Sequence, residues 1–224
     1  FSSGNIVVYR VGTGAALSNA ATAVFLDEYT TTGTLVQSIV VPQADSGANQ
    51  TLTASGTATS EGQLSRSIDG RYLLFTGYDA TPGVASSASA TIARVIGRVD
   101  LSGTVDTTTT TTAFSGNNIR DVASTNGTDI WAVGGNVGVV YTTFGSSGAG
   151  TTVSSTATNF RTIEIFDGQL YYSSGSGSFR VGSVGTGTPT TTGQTSANLT
   201  GTPTTGSPYG VFFADLTAAV AGVD

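Results

Sequence analysis

Three Asx-Gly turns constrain this chain more than anything else in it. Asp69-Gly70, Asn126-Gly127 and Asp167-Gly168 each stand between two short apolar runs. Asn, Asp and Gly tolerate the positive φ that a tight hairpin demands, so each turn predicts a β-hairpin. The flanks follow one plan. Residues Arg66 to Phe75, Arg120 to Ala132 and Arg161 to Tyr172 each run from an Arg through a short strand and the turn to a strand bearing an aromatic residue. The turns are 57 and 41 residues apart. Short strands recurring at such a period, about four to a unit, are the signature of β-propeller blades. One four-stranded sheet cannot bury both of its apolar faces, and stacking such sheets covers them.

The rest of the chain fits an all-β reading. Apolar or alternating runs span Ile6 to Val11, Ala23 to Tyr29, Leu35 to Val41, Thr91 to Leu101, Val137 to Phe144 and Ser178 to Val184. Sustained helical periodicity is missing, with room for single turns at Ala15 to Ala23 and Leu216 to Ala221. The expected blades are residues 1–45, 62–113, 117–157 and 159–199, and Tyr209 to Ala214 opens a further one over 207–224. Pro42 to Gly62 reads as a soft linker. The six-Thr run Thr107 to Thr112 reads as an exposed outer strand. About four blades, the first short of a strand, suggest an incomplete ring; the alternative is a small closed propeller sealed by Val211 to Ala214.

At Asp69-Gly70-Arg71-Tyr72 and its repeats the chain resembles secreted bacterial β-propeller proteins of uncharacterised function. Gly4 to Gly12 and Ala23 to Tyr29 resemble the opening of that group. The resemblance implies a propeller fold, spans essentially the whole chain and brings no activity with it.

Composition closes many functional classes. The chain has no Cys, Met or His, and all eight cations are Arg, against fourteen carboxylates. That excludes Cys/His zinc sites, His-based triads, Lys Schiff bases and the P-loop lysine. A net charge of -6 leaves no basic patch for nucleic acid. No apolar run approaches the ~20 residues of a membrane span. Ser and Thr are abundant, yet 38% of residues are hydrophobic and sit in blocks, which argues against disorder. The start at Phe1 and the Lys-free, Thr-rich composition suggest a secreted chain with its leader removed.

Few residues invite chemistry. Arg66, Arg120 and Arg161 recur in the repeat, as inter-blade anchors or as an anion site at a central channel, with Asp121 or Glu164 as partners. Trp131, Tyr171 and Tyr172 offer a carbohydrate platform, against a plain role in the core. Asp27 and Glu28 are neighbours on a strand and must point to opposite faces, one to solvent and one into an ion pair. The Asx-Gly carboxylates belong to turn geometry. No catalytic, metal or cofactor residue is identified. The expectation is a non-enzymatic extracellular binding, adhesion or assembly module, with a protein partner or self-association through exposed sheet edges. A polysaccharide hydrolase or lyase using Asp, Arg and Tyr, or a carbohydrate-binding module, are the alternatives.

Overall fold

The computed structural model describes residues 1–215. It is all-β, with a single turn of 3-10 helix at Ser87–Ser89 among the described residues. The strands form three antiparallel sheets.

Two of the sheets are simple meanders. In one, β9 (Ile119–Ser124), β10 (Asp129–Gly134), β11 (Val139–Thr143) and β12 (Thr151–Ser154) lie side by side in chain order. In the other, β13 (Phe160–Phe166), β14 (Gln169–Ser174), β15 (Val181–Val184) and β16 (Ser196–Asn198) do the same. The third sheet has eight strands. It contains a comparable meander, β5 (Ser65–Arg66), β6 (Tyr72–Tyr78), β7 (Arg94–Asp100) and β8 (Val105–Thr111), and an N-terminal trio, β1 (Ile6–Val11), β2 (Ala21–Tyr29) and β3 (Leu35–Val40). Short β4 (Thr53–Ser55) joins the two groups, pairing with β2 at Ala21 to Ala23 and with β6 at Tyr78. The N-terminal trio is therefore continuous with the next unit rather than a separate sheet. The expected linker over 42–62 supplies β4, and its Leu52 and Ala54 are buried in the core. Small polar residues such as Thr53 and Ser55 gave no apolar alternation by which to recognise that strand.

The layers share their faces. Val24 and Leu26 of β2 meet Phe75, Val95 and Val99 of β6 and β7. On the other side of that layer, Leu74 and Ile96 meet Ile119, Val122, Ile130 and Val140 of the next. That layer in turn packs through Trp131, Val133, Val139 and Val153 on Phe160, Ile163, Leu170 and Tyr172. Strands buried on both faces carry continuous apolar sequence, as β10 does.

The outer edges of two meanders are covered by backbone from the following unit. Thr110 on β8 and Thr112 just beyond it donate their N–H groups to the carbonyls of Ser146 and Gly148. The carbonyl of Val153 on β12 accepts from Gln194 N. The Thr run is thus only half exposed: Thr107, Thr109 and Thr111 are buried, and Thr107 Oγ1 donates to the Gln50 carbonyl at 2.7 Å.

Two expectations near the ends change. Tyr209 to Ala214 is apolar but forms no strand, because no neighbouring strand pairs with it among the described residues. The chain around Ala15 to Ala20 is irregular rather than helical. The turn expected at Leu216 to Ala221 lies outside the described residues.

Candidate functional site

The opening strands of the three meanders, β5, β9 and β13, stand beside one another. Near the hairpin turns, Ile68 N donates to the Ser124 carbonyl at 3.1 Å and Asp69 N to that of Thr125 at 3.0 Å. These strands and residues 210–212 enclose a cleft of about 330 Å³. Its walls are apolar at Leu64, Ile163, Ile165 and Val211, and its ionisable groups are Arg66, Asp121 and Glu164.

Asp121 ties the three strands together. Its Oδ1 accepts from Ser65 Oγ on β5 and from its own neighbour Val122 N, each at 2.8 Å. Its Oδ2 accepts from Ile163 N on β13 at 2.9 Å. Burial pushes the carboxyl up to about 7 in spite of those donors, and the nearby Glu164 charge pushes the same way. Glu164 is itself raised by burial. Both oxygens of Asp121 are already engaged, which leaves Glu164 as the carboxylate free to meet a ligand in this cleft.

The three arginines do not occupy equivalent places. Arg66 lies three residues before its turn, opposite Leu73, and is exposed. Its guanidinium reaches back to the Gly70 carbonyl of its own hairpin, Nη2 at 3.3 Å. Arg120 and Arg161 lie six residues before theirs, and each falls at a β-bulge. The pairing passes from Asp121↔Val133 to Ile119↔Gly134 around Arg120, and from Phe160↔Ser174 to Thr162↔Ser173 around Arg161. A bulge re-aims the extra side chain. Arg120 Nη1 reaches into the next unit, donating to Asn159 Oδ1 and the Phe160 carbonyl, both at 2.8 Å. Arg161 reaches the segment after its own unit, with Nη2 3.5 Å from Ser207 Oγ and its guanidinium carbon 4.5 Å from the Tyr209 ring centre. Arg120 and Arg161 thus make contacts beyond their own meander, and Arg66 bonds within its own hairpin. None of the three is paired with Asp121 or Glu164.

The aromatic platform is core. Trp131 is 2% exposed and Tyr172 is fully buried. Trp131 Nε1 donates to the Pro189 carbonyl at 2.7 Å, and Tyr172 stands edge-on to Phe160. Tyr171 is covered by Phe213, with ring centres 4.4 Å apart. No sugar face is presented by this set. No protein-family model matches the chain, and no curated protein matches it.

Asp27 and Glu28 point to opposite faces, but neither is free in solvent. Asp27 is held by Arg10 Nε and Ser38 Oγ, each at 2.5 Å. Glu28 accepts from Ser2 N, Gln37 Nε2 and Asn5 Nδ2, which bring its carboxyl down to about 2. Asp69 is spent on its turn, accepting from Ser67, Arg71 N and Arg71 Nε. Among the described residues no three of His, Cys, Asp and Glu converge as a metal site. No described helix is long and apolar enough to cross a membrane.

Two polar groups in the interior, half-buried Glu61 and buried Arg94, carry no sequence motif. Glu61 accepts from Ser55 N, Tyr78 Oη and Asn118 Nδ2. Burial raises its pKa. Arg94 is fully buried and answered by backbone carbonyls instead of a carboxylate. The bulge arginines did leave a signal, the pair Asn118-Ile119-Arg120 and Asn159-Phe160-Arg161.

Proposed function

We propose that this chain is an arc of a secreted β-propeller that works by binding and assembly rather than by catalysis. Meanders in chain order, first strands side by side and shared faces between layers support the propeller reading. The Lys-free, Thr-rich composition supports secretion. One observation carries the assembly reading, the outer face of the N-terminal trio.

Register places Ile6, Val8 and Arg10 of β1 in rows with Tyr29, Asp27 and Phe25 of β2, and these with Leu35, Ser38 and Val40 of β3. Opposed residues share a face. The other face, with Val7, Tyr9, Val24 and Leu26, belongs to the core. On the outer face Ile6, Val8, Leu35 and Val40 remain 42 to 54% exposed. Arg10 sits among them with its charge matched by Asp27 and its guanidinium carbon 4.1 Å from the Phe25 ring centre. Among the described residues the layers meet through apolar faces in contact. The face therefore fits one more sheet of the same kind, supplied by a second copy of this chain.

Sedimentation velocity tests it. The wild type should show a concentration-dependent oligomer, and Ile6→Ser with Val8→Ser and Val40→Ser should return it to monomer with an unchanged far-UV spectrum. A wild type that stays monomeric up to its solubility limit overturns the assembly reading.

The desolvated Glu164 beside Asp121 favours a second reading, an enzyme acting on polysaccharide. Glu164→Gln should then abolish release of reducing ends from a panel of neutral and acidic polysaccharides. A wild type inactive on the whole panel removes this alternative.

A further inference from the structure

We infer that Arg120 and Arg161 form a binding site for an oxyanion, of the carboxylate or phosphate type, at the bulge end of the inner strands. The inference rests on the two bulges and stands apart from the assembly reading.

Two guanidiniums are brought together here without a counter-charge. Arg120 is 7% exposed, and neither it nor Arg161 makes an ion pair. They repel: Arg120 is held below the usual arginine range first by burial and next by the Arg161 charge. The Nε–H of each is buried with no acceptor. A guanidinium offers five N–H donors in a rigid fork that matches the paired oxygens of a carboxylate or phosphate. The carboxylate whose field reaches Arg120 is Glu61, and its oxygens are taken by Ser55, Tyr78 and Asn118. Tyr78 and Tyr209 are the other titratable groups whose fields act on Arg120.

Both units also keep a glycine against the guanidinium. A Cβ at Gly135 would stand 2.0 Å from Asn117 Oδ1 and 3.5 Å from Arg120 Nη2. A Cβ at Gly175 would stand 3.7 Å from Arg161 Nη2, and 2.8 Å from Ser207 Oγ and 3.0 Å from Asn159 Nδ2. Neither glycine has a positive φ, so turn geometry does not require it. The polar side chains packed beside each guanidinium, Asn117 in one unit and Asn159 with Ser207 in the other, leave no room for a Cβ. Ser207 meets Arg161 only at 3.5 Å, the outer limit of a hydrogen bond, so an incoming oxyanion displaces a weak contact.

Calorimetric titration with inorganic phosphate and, separately, with acetate tests the site. Ionic strength is held constant with chloride. The wild type and Arg71→Gln, which loses an exposed charge elsewhere, should bind one anion saturably. Arg161→Gln and Gly175→Ala should bind roughly tenfold more weakly or worse. The stronger of the two anions identifies the ligand's acidic group. Should a variant fail to fold, NMR of the wild type still decides: phosphate or acetate should shift the Nε–H resonances of Arg120 and Arg161 together. Absence of saturable binding to both anions, equal affinity in folded Arg161→Gln, or Nε–H resonances that do not move overturns the site.

Discussion

Ser65 and Asp121 lie 56 residues apart and in different sheets, yet Ser65 Oγ donates to Asp121 Oδ1 at 2.8 Å. With Ile163 N on the far side, one carboxyl joins the opening strands of three meanders. Its proton is the pH-sensitive element of that junction. The carboxyl titrates near 7 when folded against 3.8 ordinarily, so the folded state holds the proton more tightly than the unfolded chain. Unfolding then releases a proton between those values, and stability falls as pH rises through that window. The span corresponds to at most about 4 kcal/mol. Urea midpoints from pH 4 to 8 should decline, and Asp121→Asn should flatten the decline. A wild-type midpoint that rises steadily over the same range contradicts this.

Trp131 reaches the next unit in a similar way, through Nε1–H to the carbonyl of Pro189. It also packs on Tyr141, with ring centres 5.3 Å apart. Trp131→Phe keeps most of the apolar volume and loses the donor, which should cost about 1–3 kcal/mol. Trp131→Ala adds a cavity and should cost about 3–5 kcal/mol. For a domain of this size each kcal/mol lowers Tm by roughly 2–4 °C. Circular dichroism melts would measure both, and a Trp131→Phe protein as stable as the wild type would show that the hydrogen bond contributes nothing.

What could be read from sequence depends on whether a residue's role is local. The Asx-Gly turns were legible because their chemistry is their own. Asp167 and Gly168 both adopt positive φ, and Asn126 Oδ1 accepts from Thr128 N and Asp129 N. The all-β character followed from those turns and the apolar runs between them. β4 was hidden because Thr53-Ala54-Ser55 has no pattern, and its partners Ala23 and Tyr78 lie far along the chain. Tyr209 to Ala214 misled in the opposite sense, since its apolar residues cover Tyr171 and the cleft without pairing. Arg66 looked equivalent to Arg120 and Arg161 by residue type. Counting from the turn separates them by three positions, and the preceding Asn marks the two that sit at bulges. Nothing local revealed the junction at Asp121, two of whose three donors come from other strands.

Arg94 stands 0% exposed beneath the loop before β7. Its guanidinium donates to the carbonyls of Ala88, Ala90, Ile92 and Asn117 and packs over the Tyr78 ring. A planar fork can serve four carbonyls at once, whereas an ammonium has three donors and a smaller reach. Arg94→Lys should therefore cost about 2–4 kcal/mol by leaving carbonyls unanswered. The loss should be accompanied by faster limited proteolysis within residues 80–92. Unchanged cleavage there, with an unchanged urea midpoint, would show that the loop does not depend on the fork.

Two sheets place an aromatic ring over a glycine on the neighbouring strand. Phe75 of β6 is opposite Gly97 of β7, and Tyr172 of β14 is opposite Gly182 of β15. A Cβ on Gly97 would stand 2.4 Å from Phe75 Cε2, so that ring must turn or shift. A Cβ on Gly182 would stand 2.5 Å from the Tyr172 hydroxyl oxygen and 2.1 Å from the Ala197 carbonyl oxygen, which is backbone in the adjacent strand. Overpacking of this kind costs about 1–3 kcal/mol when side chains can adjust. Gly97→Ala should fall in that range. Gly182→Ala should lie at its top or beyond, because β16 has to move as well. Gly210→Ala is the comparison: nothing lies within 4 Å of its Cβ position and its φ is not positive. It should be neutral or stabilising by up to about 1 kcal/mol, through the unfolded chain alone. Denaturant midpoints for the three variants should thus rank Gly210→Ala highest and Gly182→Ala lowest. A Gly182→Ala protein as stable as Gly210→Ala would mean that β15 and β16 are not held as closely as Ala197 and Gly182 require.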